Sequence, residues 1–219
     1  MKTLLSWSSG KDSAWALHVL NGMADIEVAG LFTTLNEEYD RVAMHGVRRE
    51  LLEAQARAAG LELHLIPIPN RCSNEIYQQR MADFVARMRE EGIEAMAFGD
   101  LFLEDIRAYR EKNLAGTGMT PLFPIWESDT HDLARRMIAS GLKARITCHD
   151  PRRLDGEFSG REFDEALIAD LPEGVDPCGE NGEFHTIAYA GPMFKSPVAL
   201  VAGEIAHRDG FVFRDFLPA

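Results

Sequence analysis

Ser6-Trp7-Ser8-Ser9-Gly10-Lys11-Asp12-Ser13 joins an apolar run, Thr3–Trp7, to a segment with helical spacing, Lys11–Met23. The run reads as a buried strand, and Ala14, Leu17 and Leu20 give the following helix its apolar side. A glycine at such a junction lets backbone approach an anion closely. Successive backbone N–H groups and the positive end of the helix then make a phosphate cradle. Ser8, Ser9 and Ser13 add hydroxyl donors, and Lys11 adds a point charge. The loop is not a Walker A loop, which needs a glycine five residues before Gly10, where Leu5 stands, and Ser or Thr after the lysine, where Asp12 stands. Nor is it a dinucleotide fingerprint, which needs three spaced glycines.

The same alternation continues outward from this loop. Ile26–Leu35 reads as a strand, Val47–Ala59 as a helix stopped by Gly60, and Leu61–Ile68 as a strand ended by prolines. Asn74–Glu91 is a long helix stopped by Gly92, and Ala95–Phe98 a fourth strand. Asp129–Ser140 is a helix and Lys143–Cys148 a fifth strand. Strands alternating with helices predict an α/β fold: a five-stranded parallel sheet with helices on both faces. Ligands of such sheets bind beyond the carboxyl ends of the strands. After Asp150 the pattern changes: a helix over Arg161–Leu171, an acidic Pro/Gly-rich stretch, then strands at Phe184–Tyr189, Ala199–Ala206 and Phe211–Phe216. Arg208-Asp209-Gly210 is a hairpin turn. Residues 1–149 are expected to form the domain of the parallel sheet and 150–219 a smaller mixed subdomain packed against it.

The chain has 219 residues and a formal net charge of −12, with 46% hydrophobic and 26% charged residues. That composition is globular and leaves out disorder and low-complexity classes. A chain this acidic repels a polyanion, so no nucleic-acid partner is expected, and an anionic ligand must be held by local donors. No apolar run approaches the ~20 residues that cross a bilayer, and the N-terminus lacks the apolar region of a signal peptide. Cys72, Cys148 and Cys178 are widely spaced without a CxxC pair. They fit a reduced cytoplasmic protein, with each cysteine a small buried hydrophobe. The size is compatible with a homodimer.

Ser8-Ser9-Gly10-Lys11-Asp12-Ser13 resembles the SGGxDS loop of the PP-loop ATP pyrophosphatases, with Ser9 in the place of the first glycine. Those enzymes have an adenine-nucleotide α-hydrolase-like fold and split ATP between the α- and β-phosphates, adenylating an oxygen that a nucleophile then displaces. Further segments narrow the resemblance: Met44-His45-Gly46-Val47-Arg48, Phe98-Gly99-Asp100 with Glu104, Asp105, Arg107 and Arg110, Pro121–Trp126, and Asp176–Thr186. Together they resemble the diphthine–ammonia ligase family over almost the whole chain. Archaeal and eukaryotic members close on a GGE(Y/F)ET-like motif. Here the stretch reads Gly179-Glu180-Asn181-Gly182-Glu183-Phe184-His185-Thr186, similar to a bacterial branch.

The resemblance implies an AMP-forming amide ligase using ATP, Mg²⁺, ammonia and a carboxylate acceptor such as diphthine on elongation factor two. Ser8, Ser9, Gly10 and Ser13 would hold the phosphates, with Lys11 against the leaving charge or in solvent. Ser6, Trp7, Phe32, Thr33 and Gly99 would neighbour the nucleotide, Phe32 being otherwise plain strand core. Asp12, Asp100 and Glu104 are the candidate Mg²⁺ ligands, since carboxylates with phosphate oxygens are a normal Mg²⁺ environment. Asp100, Arg107, Glu180 and Glu183 are the candidate catalytic groups, Arg107 or Arg110 gripping an anion and the glutamates handling ammonia or a proton. His45, Gly182, His185 and Thr186 are candidate contacts to the acceptor. Two rival readings share the fold: a nucleotide sensor without turnover, and a thiolation enzyme using Cys148 and Cys178.

Overall fold

The computed structural model describes residues 1–42 and 45–219. Five strands run parallel in the order β4-β2-β1-β5-β6, namely Glu62–Ile68, Glu27–Asn36, Lys2–Ser6, Ala95–Ala97 and Thr120–Leu122. A two-residue β3, Arg41–Val42, pairs antiparallel with the end of β2. Alternate residues of each central strand serve opposite faces, as strand geometry requires. Leu5, Leu31 and Ala97 enter one core, against α1 (Lys11–Asn21), α2 (Arg49–Ala59) and α5 (Thr130–Ala139). Leu4, Phe32 and Met96 enter the other, against α3 (Asn74–Glu90) and α4 (Glu104–Leu114).

A second, antiparallel sheet has the order β8-β7-β10-β9: Phe184–Ala190, Lys143–His149, Phe211–Pro218 and Leu200–Arg208. A short α6 covers Glu165–Asp170. Ile146, Ile187 and Phe216 share one buried core with Leu5, Leu17 and Leu52, so the two sheets close on α1 and α2 from opposite sides. The β9–β10 turn places Asp209 at φ 50° and Gly210 at φ 84°, the left-handed pair of a two-residue hairpin turn.

The expected α/β architecture is present, with one change of membership. Lys143–Cys148, expected as the fifth parallel strand, belongs to the antiparallel sheet; the fifth parallel strand is β6. Pro121 sits in β6, and because β6 is an edge strand the missing N–H is tolerated. The expected division at 149/150 therefore falls behind β7, and sheet membership changes between β6 and β7. Among the described residues no helix is long and apolar enough to cross a membrane.

Candidate active site

The Ser6–Ser13 loop lies at the carboxyl end of β1, between the two sheets. Its shape is imposed by buried polar contacts. Gln55, fully buried on α2, accepts from the Trp7 indole N–H at 2.9 Å and donates to the carbonyls of Ser9 at 2.9 Å and Ala188 at 2.6 Å. The Ala188 N–H donates to the same Ser9 carbonyl at 2.9 Å, so β8 and α2 hold the loop together. Ser9 is fully buried at φ 74°, in the left-handed region that favours glycine. Gly10 caps α1 without a side chain, and a Cβ there would lie 3.1 Å from His45 Cε1 and 3.3 Å from the Thr186 carbonyl. The Lys11 N–H donates to Thr186 Oγ1 at 3.1 Å, across the two sheets.

A cavity of about 210 Å³ opens in front of this loop. Ser6, Ser8, Ser13 and Lys11 line it from β1 and α1, Gly99 and Asp100 from the loop after β5, and Glu180 and His185 from the closing stretch. The Ser8 hydroxyl donates to Ser13 Oγ at 3.2 Å, and Ser13 Oγ donates to the Gly10 carbonyl at 3.0 Å. Gly99 permits a close approach of backbone to backbone: a Cβ there would sit 3.1 Å from the Ser13 backbone nitrogen.

Lys11 is neither at the cavity mouth nor in solvent. Its side chain is 2% exposed, its ammonium bonds Asp12 at 2.9 Å and the Cys178 carbonyl, and it lies over the Phe163 and Phe184 rings. Burial works against that charge, but the Asp12 carboxylate overrides it and the Lys11 pKa is raised. Lys11 thus anchors the closing stretch while adding positive potential behind the cavity. Asp12 keeps one carboxylate oxygen buried without a partner among the described residues. Asp100 faces Arg110 at 3.5 Å, and burial raises its pKa against that pull.

Glu180 accepts the Leu101 N–H at 2.8 Å. Burial, more than any neighbour, raises its carboxyl to about 7. The loop that presents it is organised by Asp176, which accepts from the Cys178 and Glu180 N–H groups at 2.8 and 3.3 Å and from Thr130 Oγ1 at 2.6 Å. The His45 and His185 rings lie 4.6 Å apart, tilted by 40°. Burial lowers both, His45 well below its usual range and His185 to about 4, so both rings are neutral. His185 Nε2 is buried without a partner among the described residues.

Other expected residues lie elsewhere. Arg107 pairs with Glu111 at 2.8 Å and stacks on Phe123 and Trp126; Arg110, over Phe98, is the arginine that reaches the cavity. Glu104 is exposed at the start of α4. Phe32 packs in the core against Phe84 and Phe98, and Thr33 is buried within β2. Gly182 faces open space. Glu183 is 2% exposed and accepts the Asp176 N–H at 3.1 Å and the Asn181 amide at 3.3 Å, which shapes the loop from behind. Met44 lies outside the described residues. Gln55 belongs to no motif; its only signal in the sequence is a polar side chain among Leu51, Leu52 and Ala56 on the inner side of α2.

The residues in the cavity suit a magnesium–nucleotide. Asp12 and Asp100 are hard oxygen donors, Asp12 with an unpartnered oxygen, and the loop supplies hydroxyls and close backbone. Among the described residues no group of three His, Cys, Asp or Glu side chains is placed to hold a metal alone.

The sequence model of the diphthamide synthase N-terminal domain matches residues 1–121, and that of the C-terminal domain matches residues 129–214. The chain belongs to the diphthamide synthase family. It is 26% identical over 220 residues to the diphthine–ammonia ligase of Homo sapiens, covering 90% of this chain and 82% of the relative. The enzyme of that name from Rattus norvegicus is 27% identical over 219 residues, with the same coverage. The Schizosaccharomyces pombe diphthine–ammonia ligase is 25% identical over 231 residues, 97% of this chain and 38% of the relative. In this diphthamide synthase family member, the junction of the two matched domains coincides with the change from the parallel to the antiparallel sheet.

Proposed function

We propose that the protein is an ATP-dependent amide ligase that joins ammonia to a carboxylate, with diphthine on an elongation factor as the acceptor, and that it acts in the cytoplasm. The observation that carries this reading is the shared cavity: a phosphate-type loop on the parallel sheet faces Glu180, a carboxyl with pKa near 7, from the antiparallel unit. Ser8, Ser13 and the start of α1 hold the phosphates, and Asp12 and Asp100 are the side chains that would hold Mg²⁺. The ion, when bound, offsets phosphate charge.

The overall change is carboxylate, ATP and ammonia to amide, AMP and pyrophosphate. An acceptor oxygen attacks the α-phosphorus and the α–β bridging bond breaks, so pyrophosphate leaves. Ammonia then attacks the acyl carbon, the bond to the AMP oxygen breaks, and Glu180 takes the surplus proton. Neutral His45 and His185 avoid trapping that proton and leave His185 Nε2 free to bind substrate. Most of the rate comes from holding reactants together and from charge stabilisation. The two matched domains divide the labour, nucleotide on one side and acceptor on the other.

A thiolation enzyme is not favoured. Cys148 and Cys178 are buried free thiols, and burial raises both, Cys148 to about 12, which keeps them protonated and unreactive. The test is product analysis with ATP, Mg²⁺, ammonium and diphthine-bearing elongation factor. AMP, pyrophosphate and an amidated acceptor are expected; ADP in place of AMP overturns the reading.

A further inference from the structure

A second cavity, also about 210 Å³, lies on the other side of His45, which lines both. Its walls come from β3, β7, β9, β10 and the start of α2, and it does not reach the phosphate loop. Four guanidiniums, those of Arg41, Arg48, Arg208 and Arg214, face two carboxylates, Glu204 and Asp215. In a chain of net charge −12 that local excess of cations is against the overall trend.

Two of the arginines share one acid. Asp215 accepts from Arg41 at 2.8 and 3.2 Å and from Arg48 at 2.6 Å. Burial works against this carboxylate, yet the paired arginines hold it at about 2, so it stays charged and keeps both forks in place. One carboxylate cannot neutralise two guanidiniums. Arg214 Nε is buried without a partner among the described residues. Its side chain is fixed against Gly160, where a Cβ would come within 3.0 Å of Arg214 Cγ. Thr147, 2% exposed on β7, also lines the cavity, and its hydroxyl has no partner among the described residues. A buried donor without an acceptor is costly, and a bound oxyanion would satisfy both the Arg214 Nε–H and the Thr147 hydroxyl.

We propose that this cavity is an anion site, in which Arg48, Arg214 and Thr147 hold a carboxylate or phosphate group of the acceptor while the reacting carboxylate lies beyond His45. The assignment to the acceptor rests on the ligase reading above; the anion site itself does not. Planar guanidinium forks suit either oxyanion, and a hydroxyl donor fixes its orientation. Reaching both cavities at once would place the acceptor across His45, with its anchored end away from the nucleotide.

The test uses the full chain with AMP and Mg²⁺ present to occupy the first cavity. Inorganic phosphate is titrated while the arginine Nε–H resonances are followed by NMR. The Arg214 and Arg48 resonances are expected to move together and saturably. Thr147→Val, which preserves shape, and Arg214→Gln are each expected to weaken that binding at least tenfold; Thr147→Val decides alone if Arg214→Gln fails to fold. A non-saturating response, or equal affinity in the variants, overturns the anion site. In the ligase assay phosphate is expected to raise the acceptor KM without changing kcat. Inhibition competitive with ATP, or none, overturns the assignment to the acceptor. Failure to form AMP would overturn the ligase reading while leaving the NMR titration to decide the anion site.

Discussion

At the scale of single residues, the site carries two departures from ordinary chemistry. Ser9 holds a left-handed backbone and a buried hydroxyl that finds no partner among the described residues. Such a backbone costs a non-glycine residue about 1–3 kcal/mol, and glycine removes both penalties at the expense of some unfolded-state entropy. Ser9→Gly is therefore expected to stabilise the fold by about 1 kcal/mol in urea unfolding; a loss of stability would show that the hydroxyl does something the fold does not reveal. Glu180 is the second departure. Its carboxyl is raised from 4.5 to about 7, so between those values the folded state binds more protons than the unfolded one. Its contribution to stability is thus fully present below about pH 4.5 and falls as pH rises through 7. Activity runs the opposite way, because only the carboxylate accepts a proton from ammonium. Glu180→Gln should flatten the fall in stability between pH 4.5 and 7 and lower kcat by roughly 10²-fold or more. Retention of the slope in the variant would assign it to another group.

At the scale of elements, the phosphate loop depends on α2 and β8 as much as on its own residues. Gln55 satisfies the Trp7 indole and the Ala188 carbonyl and gives the Ser9 carbonyl a second donor, all out of water. Gln55→Leu keeps the volume and strips these partners. With about 1–3 kcal/mol lost for each buried group left unpaired, the variant should unfold about 3 kcal/mol more easily in urea. Its KM for ATP should rise more than its kcat falls. An unchanged KM would mean the loop keeps its shape without the clamp. This clamp also marks the limit of what the chain's pattern discloses. Strand β1, helix α1 and the glycine stop after α2 are local signals, readable from period and caps, and they appear where expected. The partner of a strand is not local. Lys143–His149 has the same buried apolar character in either sheet, and only β8 and β10, dozens of residues downstream, determine where it pairs. Thr120–Leu122 was hidden by Pro121, which suits an edge strand but reads as a loop. The site follows the same rule. Ser8, Asp12, Ser13, Asp100 and Glu180 lie in recognisable stretches and meet in one cavity. The choice of Arg110 over Arg107 depends on the phase of α4, which turns Arg107 onto Phe123 and Trp126 and Arg110 onto Phe98.

At the scale of the whole molecule, charge is separated. The first cavity has Asp12, Asp100 and Glu180 on its walls, while the second collects four arginines. A nucleotide triphosphate brings up to four negative charges to the acidic side of a chain that is itself at −12. The cations already there are committed: Lys11 to Asp12 and the Cys178 carbonyl, Arg110 to Asp100. Hydroxyls and helix-end N–H groups carry only partial charge, worth about 0.3–1 kcal/mol near a helix terminus. Mutual repulsion of phosphate and carboxylate at close range is larger than that, about 4 kcal/mol at 4 Å for an effective dielectric near 20. A divalent cation, which Asp12 and Asp100 would hold, would supply the positive charge that offsets this repulsion. ATP affinity, measured by calorimetry, should therefore fall at least tenfold when Mg²⁺ is replaced by EDTA. Asp100→Asn should remove most of that dependence by lowering affinity in Mg²⁺ while leaving it unchanged or improved in EDTA. Equal affinity with and without the metal would mean that the loop alone outweighs three carboxylates, and the role given to Asp12 and Asp100 would fall.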